Sequence, residues 1–262
     1  MSAGDTIFRI LFFKLFNSIE TWKLVESHLG PISWSDYSYE AYCKVLDGAI
    51  TSGKVIYSSA YIMPSGKSYF GKQRKHQNNL LLLEHMMHDN IVDKIISTKS
   101  LQQLYILLLS YPTIGPFLAY QYAIDINYSD CIDFGESDFT QPGPGALGGI
   151  SKCFSNVPKG REKEVIEYMH DIQQNAFESQ GLEFKTLWGR SLQYIDIQNL
   201  FCEVDKYARV KHPDIKGNSD RTRIKRKFKP SQDPIEYFYP PKWGINAKLN
   251  DITQHNLSYQ TT

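Results

Sequence analysis

The sequence has little cysteine, almost no net charge and no long hydrophobic run. Its four cysteines, Cys43, Cys131, Cys153 and Cys202, form no CxxC pair, so no zinc site is predicted. The 29 Lys and Arg nearly balance the 28 Asp and Glu, for a net charge of +1, so overall charge does not argue for a nucleic-acid ligand. The longest apolar runs, 80–83 and 106–109, are far too short to cross a bilayer.

Leader and nucleotide-binding motifs are missing as well. No basic segment precedes an apolar run at the start of the chain, which indicates no signal peptide. With the scattered cysteines, this predicts a reducing intracellular compartment, cytoplasm or nucleus, and no membrane association. There is no GxxxxGK[ST] and no GxGxxG after a strand, so we predict no bound cofactor. His76, His85 and His88 lack a matching carboxylate pattern, so no metal site is predicted.

Hydrophobic residues make up 42% of the 262 positions, and Tyr and Phe number 17 and 14. A chain of this size can bury a core, as one large domain or a domain with an appendage. Rings suit core packing, which accounts for most of them, and they also suit stacking on bases.

Apolar residues at helical spacing predict a mainly α fold, a helical bundle. Helices are expected over 5–29, 37–50, 76–97, 100–110, 117–126, 161–180 and 191–210. Residues 55–63 predict a short strand or extended loop, and 129–150 a loop. We expect a helical domain over 1–210 and a basic, polar tail over 211–262.

One face of the first predicted helix carries Arg9, Phe13, Phe16, Asn17 and Glu20. Charged groups among aromatic rings are unusual for a solvated surface, so this face is a candidate groove lining. The alternative is a partly buried helix with a satisfied ion pair, and the pattern does not separate the two.

A turn, Pro112-Thr113-Ile114-Gly115, joins two apolar helices. Gly115 would let the backbone approach a DNA phosphate, although a plain helix–helix turn explains the spacing too. Gln121 and Asp125 lie four apart and share a helix face. Asp125, with Asp133 further on, is a candidate acid–base group or electrostatic stabiliser. The alternative is an Asp that ends a helix and meets water.

The segment 142–149 is rich in glycine and proline and precedes a helix expected to start at Ile150. The backbone at Gly143, Pro144 and Gly145 would permit close approach by a nucleotide. A flexible loop is the alternative, and the alternating prolines argue against it.

The last predicted helix has a polar stripe that includes Glu203 and Lys206, three apart. Such a stripe is either a solvated ion-pair face or a buried pair that tunes a catalytic group. The basic residues Lys216, Arg221, Arg223, Lys225, Arg226, Lys227 and Lys229 follow. They would contact phosphates, although a solubilising tail or a targeting signal fits them as well.

Five segments occur together and in order: Phe16-Asn17-Ser18-Ile19-Glu20-Thr21-Trp22, Ala60-Tyr61-Ile62-Met63, Ile114-Gly115-Pro116-Phe117-Leu118-Ala119-Tyr120-Gln121, Gly143-Pro144-Gly145-Ala146 and Cys202-Glu203-Val204-Asp205-Lys206-Tyr207. Over residues 7–210 the chain resembles the DNA base hypermodification family, a helical domain also found attached to 5-hydroxymethyl-deoxyuridine DNA kinases. It is similar, too, to the α-glutamyl/putrescinyl-thymine pyrophosphorylases. Each segment alone is weak, whereas the set is specific.

The resemblance implies an enzyme that acts on DNA after the thymine methyl group has been hydroxylated and phosphorylated, and that replaces pyrophosphate with an amine. Without a P-loop, the chain would depend on a kinase partner or on a base already modified. A flipped base would enter a pocket formed by the first helix, the glycine–proline segment and the last helix. Tyr61 joins the predicted base contacts. Arg9 would hold a diphosphate, and Asp125 or Glu203, the latter beside Lys206, would deprotonate the amine.

A broader likeness is to the helix-hairpin-helix DNA glycosylases, which place an Asp soon after a hairpin like 112–115 and imply a DNA-glycosylase-like architecture. Asp133 lies near that offset and Asp125 lies earlier. Thr113 stands where those enzymes have their first glycine, and no catalytic Lys follows the turn. Two alternatives therefore stay open, a glycosylase-like enzyme that excises a modified base and a non-catalytic DNA-binding module.

Overall fold

A computed structural model describes residues 1–217, 222–224 and 237–249. Over these ranges it has twelve α-helices, two 3-10 helices and no strand, which confirms the mainly α fold. The α-helices are α1 Ala3–Phe16, α2 Ile19–Leu29, α3 Tyr39–Thr51, α4 Lys67–Phe70, α5 Lys75–His88, α6 Ile91–Ser97, α7 Leu101–Leu109, α8 Pro116–Asn127, α9 Pro144–Cys153, α10 Glu162–Asp171, α11 Gln173–Ser179 and α12 Tyr194–Lys211. The 3-10 helices are Pro241–Trp243 and Asn246–Lys248. None of the described helices is both long and apolar enough to cross a membrane.

The chain divides into two compact units. The N-terminal unit comprises residues 1–127 and 131–141, and the C-terminal unit comprises 128–130 and the described residues from 142 onward. In the N-terminal unit, α1 packs against α5 and α8, α7 against α8, and α2 against α3. Fully buried side chains from α1, α5 and α8 fill this core, among them Phe8, Phe12, Leu83, Tyr120 and Tyr122.

The helix expected over 5–29 is two helices. Asn17 ends α1 in the left-handed conformation, with φ 49°, and its N–H donates to the Phe13 carbonyl over 2.7 Å. Ser18 then starts α2, its hydroxyl accepting from the Thr21 N–H over 3.3 Å. Asn tolerates the left-handed region and Ser is a favoured N-cap, so the pair Asn17-Ser18 changes the direction of the chain. The helix expected over 76–97 is also broken at an asparagine, Asn90, with φ 55°.

The segment expected to be a loop over 129–150 becomes helical at Pro144, where α9 begins with Gly143 as its N-cap. Proline suits the first helical position because its missing N–H would have no partner there. The glycines that follow face α12. A Cβ on Gly145 would lie 2.9 Å from the Cys202 sulfur, and one on Gly149 would overlap the Phe201 carbonyl oxygen. These glycines therefore allow α9 and α12 to pack closely.

The C-terminal unit has its own apolar core, formed by α9, α10 and α12. Its buried members are Ala146, Ile150, Ile166, Ile197 and Phe201. Of the predicted tail, Lys216 and Arg223 are exposed. Arg221, Lys225, Arg226, Lys227 and Lys229 lie outside the described residues, so the phosphate-binding prediction for them stays a prediction.

Beside the apolar core of the C-terminal unit lies a buried charge cluster. The Asp205 carboxylate on α12 forms an ion pair with Lys152 Nζ of α9 at 2.9 Å and also pairs with Arg209 one turn further on. A buried carboxylate is tolerated when cations neutralise it, so this cluster links α9 to α12.

His76 on α5 gives the fold a pH-dependent element. Its ring is buried, with Nε2 2.8 Å from Asp47 Oδ1, and the Arg74 guanidinium lies 2.6 Å from the same oxygen. Burial lowers the pKa of His76 from its ordinary 6.5, and the attraction of Asp47 offsets this only in part. The folded state therefore binds fewer protons at His76 than the unfolded state does.

We expect this contribution of His76 to stability to be present above pH 6.5 and lost as the pH falls below it. Urea unfolding at pH 7.5 and pH 5.5 measures the effect, and His76→Gln should reduce the difference between the two free energies. His212→Gln, at an exposed position, is the control and should keep the wild-type difference. An unchanged pH dependence in His76→Gln would contradict the assignment.

Candidate functional site

A buried ion pair joins α1 to α8 in the N-terminal unit. Lys14 is only 4% exposed, and its Nζ lies 2.6 Å from Asp125 Oδ2, whereas Asp125 is 29% exposed. Burying an ammonium is costly unless it is paired, so Asp125 is what allows Lys14 to lie in the core. The carboxylate reaches solvent while its partner does not. Burial, and next the charge of Asp125, raise the pKa of Tyr122, so this phenol is neutral.

One aromatic ring lies against the lysine of this ion pair, and a second ring stacks on the first. Lys14 Nζ lies 4.4 Å from the centroid of the Tyr61 ring, a cation–π contact. The Tyr61 ring stacks on Phe117 of α8, with centroids 5.9 Å apart and planes within 1° of each other. Tyr61 adopts φ 52°, a conformation that side-chain-bearing residues rarely take. Both rings are half-buried.

Gln121 lies between the rings and the carboxylate on α8. Phe117, Gln121 and Asp125 are spaced by four residues and so share one face of this helix. The Gln121 side chain is 4% exposed, and among the described residues nothing accepts a hydrogen bond from its buried Nε2. We call the five residues Lys14, Tyr61, Phe117, Gln121 and Asp125 the α8 site.

Tyr61, Gln121 and Asp125 were predicted from the sequence, whereas Lys14 and Phe117 were missed. The signal for Lys14 was a single charge inside the run Leu11-Phe12-Phe13-Lys14-Leu15-Phe16. A lysine in such a run is buried together with its neighbours if a carboxylate on another helix can neutralise it.

The three candidates on the first predicted helix have local partners. The Arg9 guanidinium donates to the Ile32 carbonyl over 2.9 Å and lies 4.6 Å from the Trp22 ring centroid. Asn17 is the cap between α1 and α2, and Glu20 is exposed in the first turn of α2. On α1 it is therefore Lys14, paired with Asp125, that forms the ion pair. The contacts of Arg9 are those expected for a partly buried helix.

The turn before α8 has the conformation that a glycine would favour. Thr113 in this turn adopts φ 66°. Gly115 is exposed, and its carbonyl accepts from the Ala119 N–H over 2.9 Å in the first turn of α8. Asp133 is exposed in the segment 131–141 that follows α8.

The remaining candidates lie in the C-terminal unit. The N–H of Gly143 donates to Gln198 Oε1 over 3.0 Å, Pro144 is exposed at the start of α9, and Gly145 packs on Cys202. Glu203 is 65% exposed and pairs with Lys206, which is 45% exposed. The pair is therefore a solvated one in the described structure.

No group of three or more His, Cys, Asp or Glu suited to a metal ion occurs within the described part of the chain. In the C-terminal unit, burial raises the pKa of the Cys202 thiol to about 11, so this thiol is protonated at neutral pH.

The α8 site offers five groups for chemistry or binding: the Asp125 carboxylate, the Lys14 ammonium, the Gln121 amide and the rings of Tyr61 and Phe117.

Fold and site together define a helical protein in which one helix face carries a partly exposed carboxylate and an aromatic ring that stacks on Tyr61. The chain belongs to the family described as 5-hmdU DNA kinase, helical domain, whose model matches residues 1–217. The match spans α1 to α12, confirms the resemblance to this family and connects the chain with DNA hypermodification. No curated protein and no solved structure matches the chain.

Proposed function

We propose that this protein binds a 5-hydroxymethyluracil-derived base in DNA and modifies it further, by replacing a diphosphate on the methylene carbon with an amine. The family match supports the substrate class. The observation that carries the chemistry is the half-exposed Asp125 carboxylate, held by a buried ammonium beside stacked rings.

The base has to leave the DNA stack to reach a protein side chain. Tyr61 and Phe117 offer half-buried ring surface, and stacking on an aromatic side chain contributes about 1–3 kcal/mol per base. That gain offsets the cost of unstacking one nucleotide, which is of similar size.

The reaction is a substitution at the methylene carbon attached to C5. The amine nitrogen forms a bond to this carbon while the C–O bond to the diphosphate breaks, and the electron pair leaves with the diphosphate. Asp125 accepts the proton that the amine loses. Lys14 lies 2.6 Å from this carboxylate and holds it in position for that step. Arg9 remains a proposed contact of the diphosphate. The alternative proton acceptors are two exposed carboxylates, Asp133 and Glu203, the latter paired with Lys206.

The diphosphate has to be installed by another activity, since these 262 residues contain no P-loop. Because the family is named after 5-hmdU DNA kinases, we propose DNA and such a kinase as the partners of this domain. Gly115 and the backbone at Gly143, Pro144 and Gly145 are proposed DNA contacts.

The test is a nucleoside analysis. DNA containing 5-hydroxymethyluracil, or its diphosphorylated form, is incubated with the protein and a panel of amino acids and polyamines, then digested and analysed by mass spectrometry. We expect a thymidine derivative that carries the amine on its methyl carbon, and we expect it only from the diphosphorylated DNA. An abasic site would indicate base excision instead, and DNA that is bound but unchanged would indicate a reader. Either result would overturn the proposal.

A further inference from the structure

The amide of Gln121 has an unused hydrogen-bond donor in the core of the N-terminal unit. A buried donor without an acceptor is unfavourable, with a cost of about 1–3 kcal/mol in proteins. Native proteins keep few such groups. Here the amide lies on the α8 face between the ring that stacks on Tyr61 and the carboxylate that pairs with Lys14.

Four other buried polar atoms of this unit also lack a hydrogen-bond partner among the described residues: the hydroxyls of Tyr37, Thr113 and Thr140, and His76 Nε2, which pairs with Asp47. None of them lies on the α8 face of the site, since Tyr37 precedes α3, His76 is on α5, Thr113 is in the turn before α8 and Thr140 is in the segment after it. A hydroxyl can also rotate toward a nearby acceptor. Of the polar groups in the described ranges, the Gln121 amide alone combines an unpaired donor with a position inside the site.

We infer that Gln121 recognises the imide edge of the extruded base, its Nε2 donating to a base carbonyl while its Oε1 accepts from the base N3–H. The inference rests on the proposed function. A carboxamide presents one donor and one acceptor side by side, and the uracil ring presents N3–H between two carbonyl oxygens. The two groups therefore form a bidentate pair, and the base supplies the acceptor that the protein lacks.

The test uses N3-methylation, which removes the imide donor and blocks this edge. Oligonucleotides carry 5-hydroxymethyluracil or its N3-methyl derivative opposite an abasic site, so that neither base is paired in the free DNA. Wild-type protein should bind the N3-methyl DNA at least about tenfold more weakly, since the lost pair leaves buried groups unsatisfied. Gln121→Met should bind the unmethylated DNA about tenfold more weakly and differ less than about twofold between the two DNAs.

Stability gives the second readout. Gln121→Met conserves the volume and removes the unpaired donor, so the variant should unfold at no lower temperature than the wild type. A merely structural amide would make it less stable. Gln102→Met, at an exposed position on α7, is the matched control and should discriminate the two DNAs as the wild type does.

Three results would overturn the inference. If Gln121→Met still binds the N3-methyl DNA about tenfold more weakly than the unmethylated DNA, another group recognises the imide edge. If Gln121→Met is clearly less stable than the wild type, the amide is satisfied inside the protein. If wild-type protein shows no preference for 5-hydroxymethyluracil over thymine in the same DNA, the proposed function fails as well, whereas the first two results leave it standing.

Discussion

Asp125→Asn should abolish formation of the amine adduct, with a loss of at least about 100-fold in initial rate, because general-base catalysis contributes about 10²–10⁴-fold. Asparagine keeps the size and one oxygen of the side chain but cannot take the proton from the amine. The measurement is the rate of adduct formation on diphosphorylated 5-hydroxymethyluracil DNA, followed by mass spectrometry. Binding to the same DNA should change little.

The same substitution also leaves Lys14 buried without its counter-charge. We expect a loss of about 2–3 kcal/mol in the free energy of unfolding, less than for a fully buried pair because Asp125 is 29% exposed. The double variant Lys14→Met/Asp125→Asn removes the unpaired charge and should regain most of that stability without regaining activity. This result would separate the structural role of the pair from its chemical one.

Asp93→Asn provides the control, an exposed carboxylate on α6 in the same unit, and should keep full activity. Glu203→Gln and Asp133→Asn test the alternative proton acceptors. If Asp125→Asn turns over at the wild-type rate while one of these does not, the base has been assigned to the wrong carboxylate.

Part of the α8 site could be predicted because it is local. Gln121 and Asp125 are four residues apart on one helix, and this spacing alone predicts that they share a helix face. Lys14 could not be assigned in the same way, since its partner lies more than 100 positions further along and meets it only when α1 packs on α8. The stacking of Tyr61 on Phe117 is equally non-local, and it depends on an irregular segment between α3 and α4.

The mainly helical class followed from periodicity, whereas several boundaries did not. The apolar spacing continues from α1 into α2 and from α5 into α6, so it gave no reason to interrupt either helix. The interruptions come from Asn17 and Asn90, whose left-handed backbone is a local preference that spacing does not express. Apart from glycine, asparagine is the residue that most readily takes this conformation, so both positions carry a helix-ending signal in the sequence.

The late polar helix shows the same division between local pattern and packing. The polar stripe with Glu203 and Lys206 was compatible with either a solvated or a buried ion pair. In the structure this pair is solvated. The buried carboxylate of α12 is instead Asp205, neutralised in part by Lys152 from α9. Which acidic residue of a helix is buried depends on the partner helix, and no spacing within α12 contains that information.

The glycines of α9 were predicted to allow a nucleotide close to the backbone, and their contacts in the C-terminal unit are with α12. Gly149→Ala should therefore be among the most destabilising single substitutions in this unit, with a loss of at least about 3 kcal/mol. The added Cβ would overlap the carbonyl oxygen of Phe201, which belongs to the backbone of α12 and cannot rotate away as a side chain would. The two helices would have to move apart, and Ile150 and Phe201 would lose apolar contacts in the core between them.

Thermal unfolding followed by circular dichroism measures the effect, and a loss of this size lowers Tm by about 6–12 °C in a chain of this length. Gly48→Ala is the matched control, since Gly48 is an exposed glycine inside α3 with no atom near its would-be Cβ. This control should raise stability by about 0.5–1 kcal/mol, because alanine is the better helix former and restricts the unfolded chain. If both variants gain stability, α9 and α12 do not pack at this distance, and the glycines would again be free to serve a ligand.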